Sequence, residues 1–228
     1  KNNSYNFSTK LIGKVQIKNL LMSILAASKS NLKLKNILNS IKKIKPVPGR
    51  FEKISNLKNN STVILDYAHT PDALKTCLQN IKDQFKSKRI SVVFGCGGDR
   101  DKFKRPSMGK IANEYCDRIY LTDDNPRNED PKKIRISISK KINKSKLYDI
   151  SNRGKAIDQA IQDLSTGEIL VVAGKGHEQI QDYGKFKNFF SDKNCILRSI
   201  KKKNKILKND FKFNILKEVS KNKNLLIK

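Results

Sequence analysis

The apolar positions along the chain change their period near residue 46. Before it, residues 15–28 (VQIKNLLMSILAAS) and 31–44 (NLKLKNILNSIKKI) carry apolar side chains at helical spacing, with Asn31 placed to cap the second helix. Pro46, Pro48 and Gly49 then break the pattern and mark a domain boundary. Beyond them, short apolar runs alternate with helical stretches. The run 62–65 (TVIL) precedes a helix over 71–85, 90–94 (ISVVF) a helix near 107–115, and 118–121 (RIYL) a helix from Pro131. A short strand at 146–150 precedes a helix over 153–164, and 169–173 (ILVVA) is the most apolar run of all. This alternation predicts an α/β domain with a Rossmann-like, mostly parallel sheet and helices on both faces. The expected organisation is a helical piece at 1–45, the α/β domain at 46–200 and a Lys-rich segment at 201–228, read as a solvated helix or a disordered tail.

Sheets of this kind bind ligands where the loops leave the carboxyl ends of their strands. Four such loops carry the chain's unusual residues. The first, 66–74 (DYAHTPDAL), begins with Asp66 and holds Thr70-Pro71, a cap followed by proline at the first helical position. Asp66 reads either as part of an ordinary strand–turn–helix or as a carboxylate poised for a ribose hydroxyl, and His69 reads as structural. The second, 95–106 (GCGGDRDKFKRP), has three glycines that let backbone approach a ligand closely, then Asp99, Arg100 and Asp101. It matches neither the dinucleotide fingerprint nor the GxxxxGK[ST] phosphate loop, and it reads as a binding loop in preference to a flexible turn.

The third loop, 122–131 (TDDNPRNEDP), offers Arg127 as a bidentate clamp for a carboxylate and Asp124 and Asn125 as acceptors for an ammonium group. Its other reading is an acidic turn capping the next helix. The fourth, 174–179 (GKGHEQ), combines Gly174 and Gly176 with Lys175 and Glu178. A generic phosphate loop is the rival reading there, and Glu178 argues against a purely anionic ligand.

Composition changes this picture little. The formal net charge of +28 invites a nucleic-acid partner, but of 49 basic residues only nine are Arg, and the lysines are spread along the chain without a recognition motif. No nucleic-acid partner is expected. No apolar run approaches the length of a membrane span, so no membrane partner is expected either. Lys1 opens a polar segment without an initiator Met or the apolar run of a signal peptide, and the chain is read as lacking its natural beginning and as cytoplasmic. Cysteines at 77, 96, 116 and 195 have no CxxC spacing, and His69 and His177 are the only histidines. Reduced thiols and no protein-held metal are therefore expected.

Taken together, in this order and spacing, the four loops resemble the C-terminal domain of the Mur ligases, in the branch that adds meso-diaminopimelate. Residues 47–54 (VPGRFEKI) resemble the start of that domain, and 11–27 (LIGKVQIKNLLMSILAA) resemble the end of the family's central ATPase domain. The resemblance implies that the helical piece at 1–45 is a remnant of that domain. The resemblance implies ATP-dependent ligation of meso-2,6-diaminopimelate to UDP-N-acetylmuramoyl-L-alanyl-D-glutamate in peptidoglycan precursor synthesis. The implied cofactors are ATP and Mg2+, and the implied route is an acyl phosphate that the incoming amine attacks.

By the same resemblance, Asp124, Asn125, Pro126 and Arg127 line the amino-acid pocket together with Arg100, Gly174 and Glu178, while Asn19, Arg50 and Asp66 contact ATP. Diaminopimelate carries two ammonium and two carboxylate groups. Two arginines suit its far carboxylate and Glu178 its far ammonium; lysine would leave Arg127 unpaired. A related ligase that adds lysine or extends a polyglutamate chain is the alternative, and a basic nonenzymatic binding module a more distant one. The sequence departs from the family at Val15-Gln16, where Phe-Asn is usual. It also contains no UDP-sugar domain, no GKT phosphate loop and no modified lysine to help hold magnesium. No residue here is therefore assigned to the chemical step, and the chain alone is expected to be an inactive monomer. UDP-N-acetylmuramoyl-dipeptide would bind mainly to the absent domains.

Overall fold

The computed structural model describes residues 4–221. Two helices come first, α1 (Lys14–Lys29) and α2 (Leu34–Ile41). The second is shorter than its periodicity predicts, and Asn31 does not cap it: the residue before α2 is Lys33, with no side-chain cap. Asn31 instead takes a positive φ of 59° just past the end of α1. That is the left-handed position which closes a helix and which asparagine tolerates better than most residues.

The α/β domain follows as β1 (Glu52–Asn56), β2 (Thr62–Asp66), α3 (Pro71–Gln84), β3 (Ile90–Phe94), α4 (Lys104–Tyr115), β4 (Arg118–Leu121) and α5 (Pro131–Ser139). It continues with β5 (Leu147–Asp149), α6 (Arg153–Gln162), β6 (Ile169–Ala173), the hairpin β7 (Ile180–Asp182) and β8 (Lys187–Phe189), and α7 (Asp192–Lys221). Six strands form one sheet in the order β1-β2-β6-β3-β4-β5. All neighbours are parallel except β1, which pairs antiparallel with β2 at the edge.

Strands β3 and β6 are buried at every position, as the centre of a sheet covered on both faces requires. Alternate side chains go to opposite layers. Ile64, Val92, Phe94, Ile119, Leu121 and Val171 pack under Leu78 and Ile81 of α3, Met108 of α4 and Ile138 of α5. Val63, Leu65, Val93, Tyr120, Leu170 and Val172 pack under Ile157 and Ile161 of α6 and Ile196 and Ile200 of α7.

Three helices start with side-chain caps: Thr70 accepts from Ala73 N, Asp130 from Lys132 N and Asn152 from Lys155 N. Helix α4 begins a turn earlier than its apolar spacing suggests, because Pro106 falls in the first turn, where its missing N–H has no partner to lose. Helix α7 runs unbroken through residue 200, and Lys203 is buried against the end of α6, donating to Leu164 O at 2.7 Å. Of the Lys-rich segment, 201–221 is helical, and 222–228 lies outside the described residues. No described helix is long and apolar enough to cross a membrane.

Strand order decides where the loops meet. The chain steps outward from β2 to β3, β4 and β5, then returns to insert β6 between β2 and β3. The carboxyl ends of β2, β6, β3 and β4 therefore stand side by side, and the four motif-bearing loops leave the sheet as neighbours.

Candidate functional site

The loops after β3 and β4 touch backbone to backbone. A Cβ on Gly95 would sit 2.2 Å from Thr122 O, and one on Gly98 1.9 Å from Pro126 O, so no side chain fits at either place. Arg127 locks the contact. It holds a positive φ of 51°, and its Nη1 donates to Gly98 O at 2.8 Å. Beneath it, Arg105 grips Glu129 through two hydrogen bonds, at 3.0 and 2.9 Å, and Glu129 also accepts from Asp99 N. These Arg105 bonds, chiefly, hold the Glu129 carboxyl down at a pKa of about 2.

The fourth loop closes the other side. Gly176 and Gly49 both have positive φ, and a Cβ on Gly49 would lie 2.4 Å from His177 N, so residues 49–50 lie against the turn after β6. Lys175 does not face a ligand. It is fully buried, and its Nζ donates to Asn125 Oδ1 at 3.0 Å, Glu178 Oε2 at 3.1 Å and Ile180 O at 2.7 Å. Asn125 Nδ2 donates to Glu178 Oε2, and the Tyr67 hydroxyl donates to Glu178 Oε1 at 3.1 Å. Burial alone would raise the Glu178 pKa, but Lys175 and these hydrogen bonds outweigh it and hold the carboxyl below its usual range.

The result is a cleft of about 810 Å³ at the carboxyl edge of the sheet. Its walls include Arg100, Asp124, Asn125, Arg127, Gly174 and Glu178, six of the seven residues expected around an amino acid. Pro126, the seventh, lies behind the wall; its carbonyl faces Gly98 and accepts from Glu129 N. Three cationic side chains (Arg100, Lys104, Arg127) face three carboxylates (Asp101, Asp124, Glu178). Arg100 is exposed at the rim and makes no hydrogen bond or ion pair among the described residues, whereas Asn125 Oδ1 is already engaged by Lys175 and Asp182 N. Asn125 thus buttresses Glu178 and is not a free acceptor.

A second cavity, of about 500 Å³, opens between α1, α3 and the 47–51 segment, and Asn19, Arg50 and Asp66 all line it. Asp66 accepts from Phe51 N at 2.7 Å and from Ala68 N at 2.8 Å. Burial raises its pKa, and the two backbone donors and Arg50 work against that rise. The Arg50 guanidinium lies over the Tyr67 ring, 4.4 Å from its centroid, so one residue touches the walls of both cavities. Among the described residues no group of three or more His, Cys, Asp or Glu is arranged to hold a metal ion.

Sequence reasoning missed Tyr67, the inward turn of Lys175 and the Arg105–Glu129 clamp. Tyr67 had a usable signal, since it directly follows a strand-end aspartate in a motif. The other two depend on contacts between loops distant in sequence.

A doubly wound sheet with a charge-balanced cleft at its switch point defines the general class, an α/β ligand-binding domain. The chain belongs to the Mur ligase family: residues 49–176 match the family model for the Mur ligase, glutamate ligase domain. It is 43% identical over 201 residues to the UDP-N-acetylmuramoyl-L-alanyl-D-glutamate--2,6-diaminopimelate ligase of Rickettsia montanensis, covering 88% of this chain and 41% of that protein. The Rickettsia rickettsii protein of the same name is 44% identical over the same length. A solved structure of a ligase of that name superimposes with a TM-score of 0.67 at 34% identity, covering 87% of this chain and 40% of that one. The chain therefore spans about two fifths of the length of the relatives it matches.

Proposed function

We propose that the chain is the amino-acid-binding part of an ATP-dependent ligase that joins meso-2,6-diaminopimelate to UDP-N-acetylmuramoyl-L-alanyl-D-glutamate. The observation that carries this reading is the single cleft into which Arg100, Asp124, Arg127 and Glu178 converge. Its equal numbers of cationic and anionic walls match a ligand with two ammonium and two carboxylate groups, and the names of the similar ligases support the same substrate. In this reading Arg127 and Arg100 take the far carboxylate. Asp124 and Glu178 take the ammonium groups.

The Asn19, Arg50 and Asp66 cavity is the proposed nucleotide contact. Its mixed apolar and polar lining, with the Asp66 and Asp72 carboxylates and the Arg50 guanidinium, fits a base and ribose, Asp66 keeping lone pairs free for a hydroxyl. ATP, when bound, supplies the phosphoryl group that activates the substrate carboxylate. Mg2+, when bound, would be held with the nucleotide's phosphates, as magnesium commonly is. The same reading makes the chain a cytoplasmic monomer with no nucleic-acid or membrane partner.

Calorimetric titration of this chain with meso-diaminopimelate and with L-lysine tests the proposal. The expected result is diaminopimelate binding at least about tenfold tighter, since lysine leaves an arginine without its anion. Equal affinities, or a preference for lysine, overturn it.

A further inference from the structure

Behind the wall of the amino-acid cleft lies a cation that no motif announces. Arg153, the first residue of α6, is fully buried. Its Nε and Nη2 donate to the two carboxylate oxygens of Asp192, each at 2.7 Å, and Nη2 also donates to Ala173 O at 2.9 Å. Asp192, the first residue of α7, is itself fully buried. The pair thus ties α6, α7 and the end of β6 into one unit.

One part of the guanidinium is left over. Arg153 Nη1 makes no hydrogen bond and lies 3.9 Å from Asp124 Oδ2. The Asp124 carboxylate in turn rests on Gly174: a Cβ there would lie 3.0 Å from Oδ2. Gly174 thereby leaves the space in which the carboxylate can stand between the cleft in front and the guanidinium behind. A buried ion pair adds little stability over well-packed apolar residues of the same volume, so stapling the helices does not by itself account for it. A buried donor aimed at the back of a pocket carboxylate does.

We infer that Arg153, oriented by Asp192, is a positioning residue for amino-acid binding: it fixes the Asp124 carboxylate at the cleft wall, where that group receives an ammonium of the ligand. The inference rests on the functional reading above, because it takes the ligand to be an amino acid with a positive charge to offer. Arg153 touches neither cavity and acts only through Asp124.

A double-mutant cycle separates this role from a purely structural one. Meso-diaminopimelate is titrated calorimetrically into the wild-type chain, Arg153→Lys, Asp124→Asn and the double variant. The expected result is a loss of about tenfold in affinity for Arg153→Lys in the wild-type background, falling to less than about twofold when Asp124 is already Asn. Equal losses in both backgrounds overturn the inference and leave Arg153 as a staple. If Arg153→Lys does not fold, NMR of arginine-labelled wild-type chain replaces it. The Arg153 Nε resonance must shift on saturation with meso-diaminopimelate in the wild type and stay put in Asp124→Asn; a resonance unmoved in the wild type overturns the inference. A wild-type chain that binds no meso-diaminopimelate removes the functional reading and this inference with it, an outcome distinct from additive losses in a chain that binds.

Discussion

The two cavities share one strand end and are built in opposite ways. Asp66 and Tyr67 are consecutive at the end of β2, so their side chains leave the backbone on opposite sides, one to each cavity. The cavity behind Asp66 is lined by a mixture of apolar and uncharged polar side chains of α1, α3 and the 47–51 segment with few charges, and the Asp66 carboxylate is held by backbone donors. The cleft in front of Tyr67 is lined by charge, and its walls are loops pressed together at glycines and tied by guanidinium groups. The first therefore depends on packing between elements. The second depends on backbone contacts that a single methyl group can break.

The largest effect should come from that difference. Gly98→Ala forces a Cβ against the Pro126 carbonyl and separates the loops after β3 and β4. We expect affinity for meso-diaminopimelate to fall more than about 100-fold, with stability lowered by about 3 kcal/mol from overpacking. The cavity around Asp66 should keep its shape, read by unchanged amide resonances in α3. Wild-type affinity in Gly98→Ala would show that the loop contact does not form the cleft.

Arg127→Ala comes next. It removes the proposed charge-assisted contact to the ligand and the tie to Gly98 O, but leaves the backbone contact in place. A loss of about 10–100-fold in meso-diaminopimelate affinity is expected, with little change for lysine, which offers Arg127 no partner. An equal loss for both ligands would assign Arg127 to loop architecture alone.

How much of this was legible in the sequence follows from the range over which each feature is determined. Strands β2, β3, β4 and β6 were readable because a buried parallel strand is a short continuous apolar run, and α3 and α5 because their proline and capping residues are local. Strand β1 was not, since EKISN at the sheet edge alternates weakly and carries a register shift between Lys53 and Ser55. The hairpin β7–β8 consists of two three-residue strands with largely exposed side chains, which leave no periodic signal. Placement after strand ends singled out the four loops, and the family resemblance of those loops grouped six residues of the cleft. What they do for one another could not. That Lys175 turns inward to hold Asn125 and Glu178 is fixed by β6 lying between β2 and β3, a property of strand order and not of any local motif.

Acid should separate the cavities in sign. Glu178 has a pKa held below its usual 4.5 by Lys175 and its hydrogen-bond donors, against the opposing effect of burial. Its contribution to stability is therefore present above the ordinary value and is lost as pH falls towards the lowered one. Asp66 has a pKa raised above 3.8 by burial, so its ionisation works against folding as pH rises through that window, and acid relieves the penalty. Between about pH 6 and about pH 3.5, Glu178→Gln should lose less stability than the wild type and Asp66→Asn more, by about 2 °C in melting midpoint in each case. Differences of the same sign would mean that the two carboxylates do not sit in the contrasting environments described.

The smallest effect tests the residue that joins the cavities. The Tyr67 hydroxyl donates to Glu178, while its ring carries the Arg50 guanidinium. Tyr67→Phe removes only the first interaction, a hydrogen bond to a charged acceptor that is partly open to water. Affinity for meso-diaminopimelate should fall about threefold, less than is usual for a bond to a charged group, because Asn125 and Lys175 still hold the carboxylate. Tyr67→Ala removes the ring as well and frees Arg50, so Arg50→Ala should matter less in that background than in the wild type. If the effects of Arg50→Ala and Tyr67→Ala on meso-diaminopimelate binding simply add, the ring is only a spacer and the cavities are independent. Non-additive effects instead make the β2 end a mechanical link, through which what occupies one cavity is felt in the other.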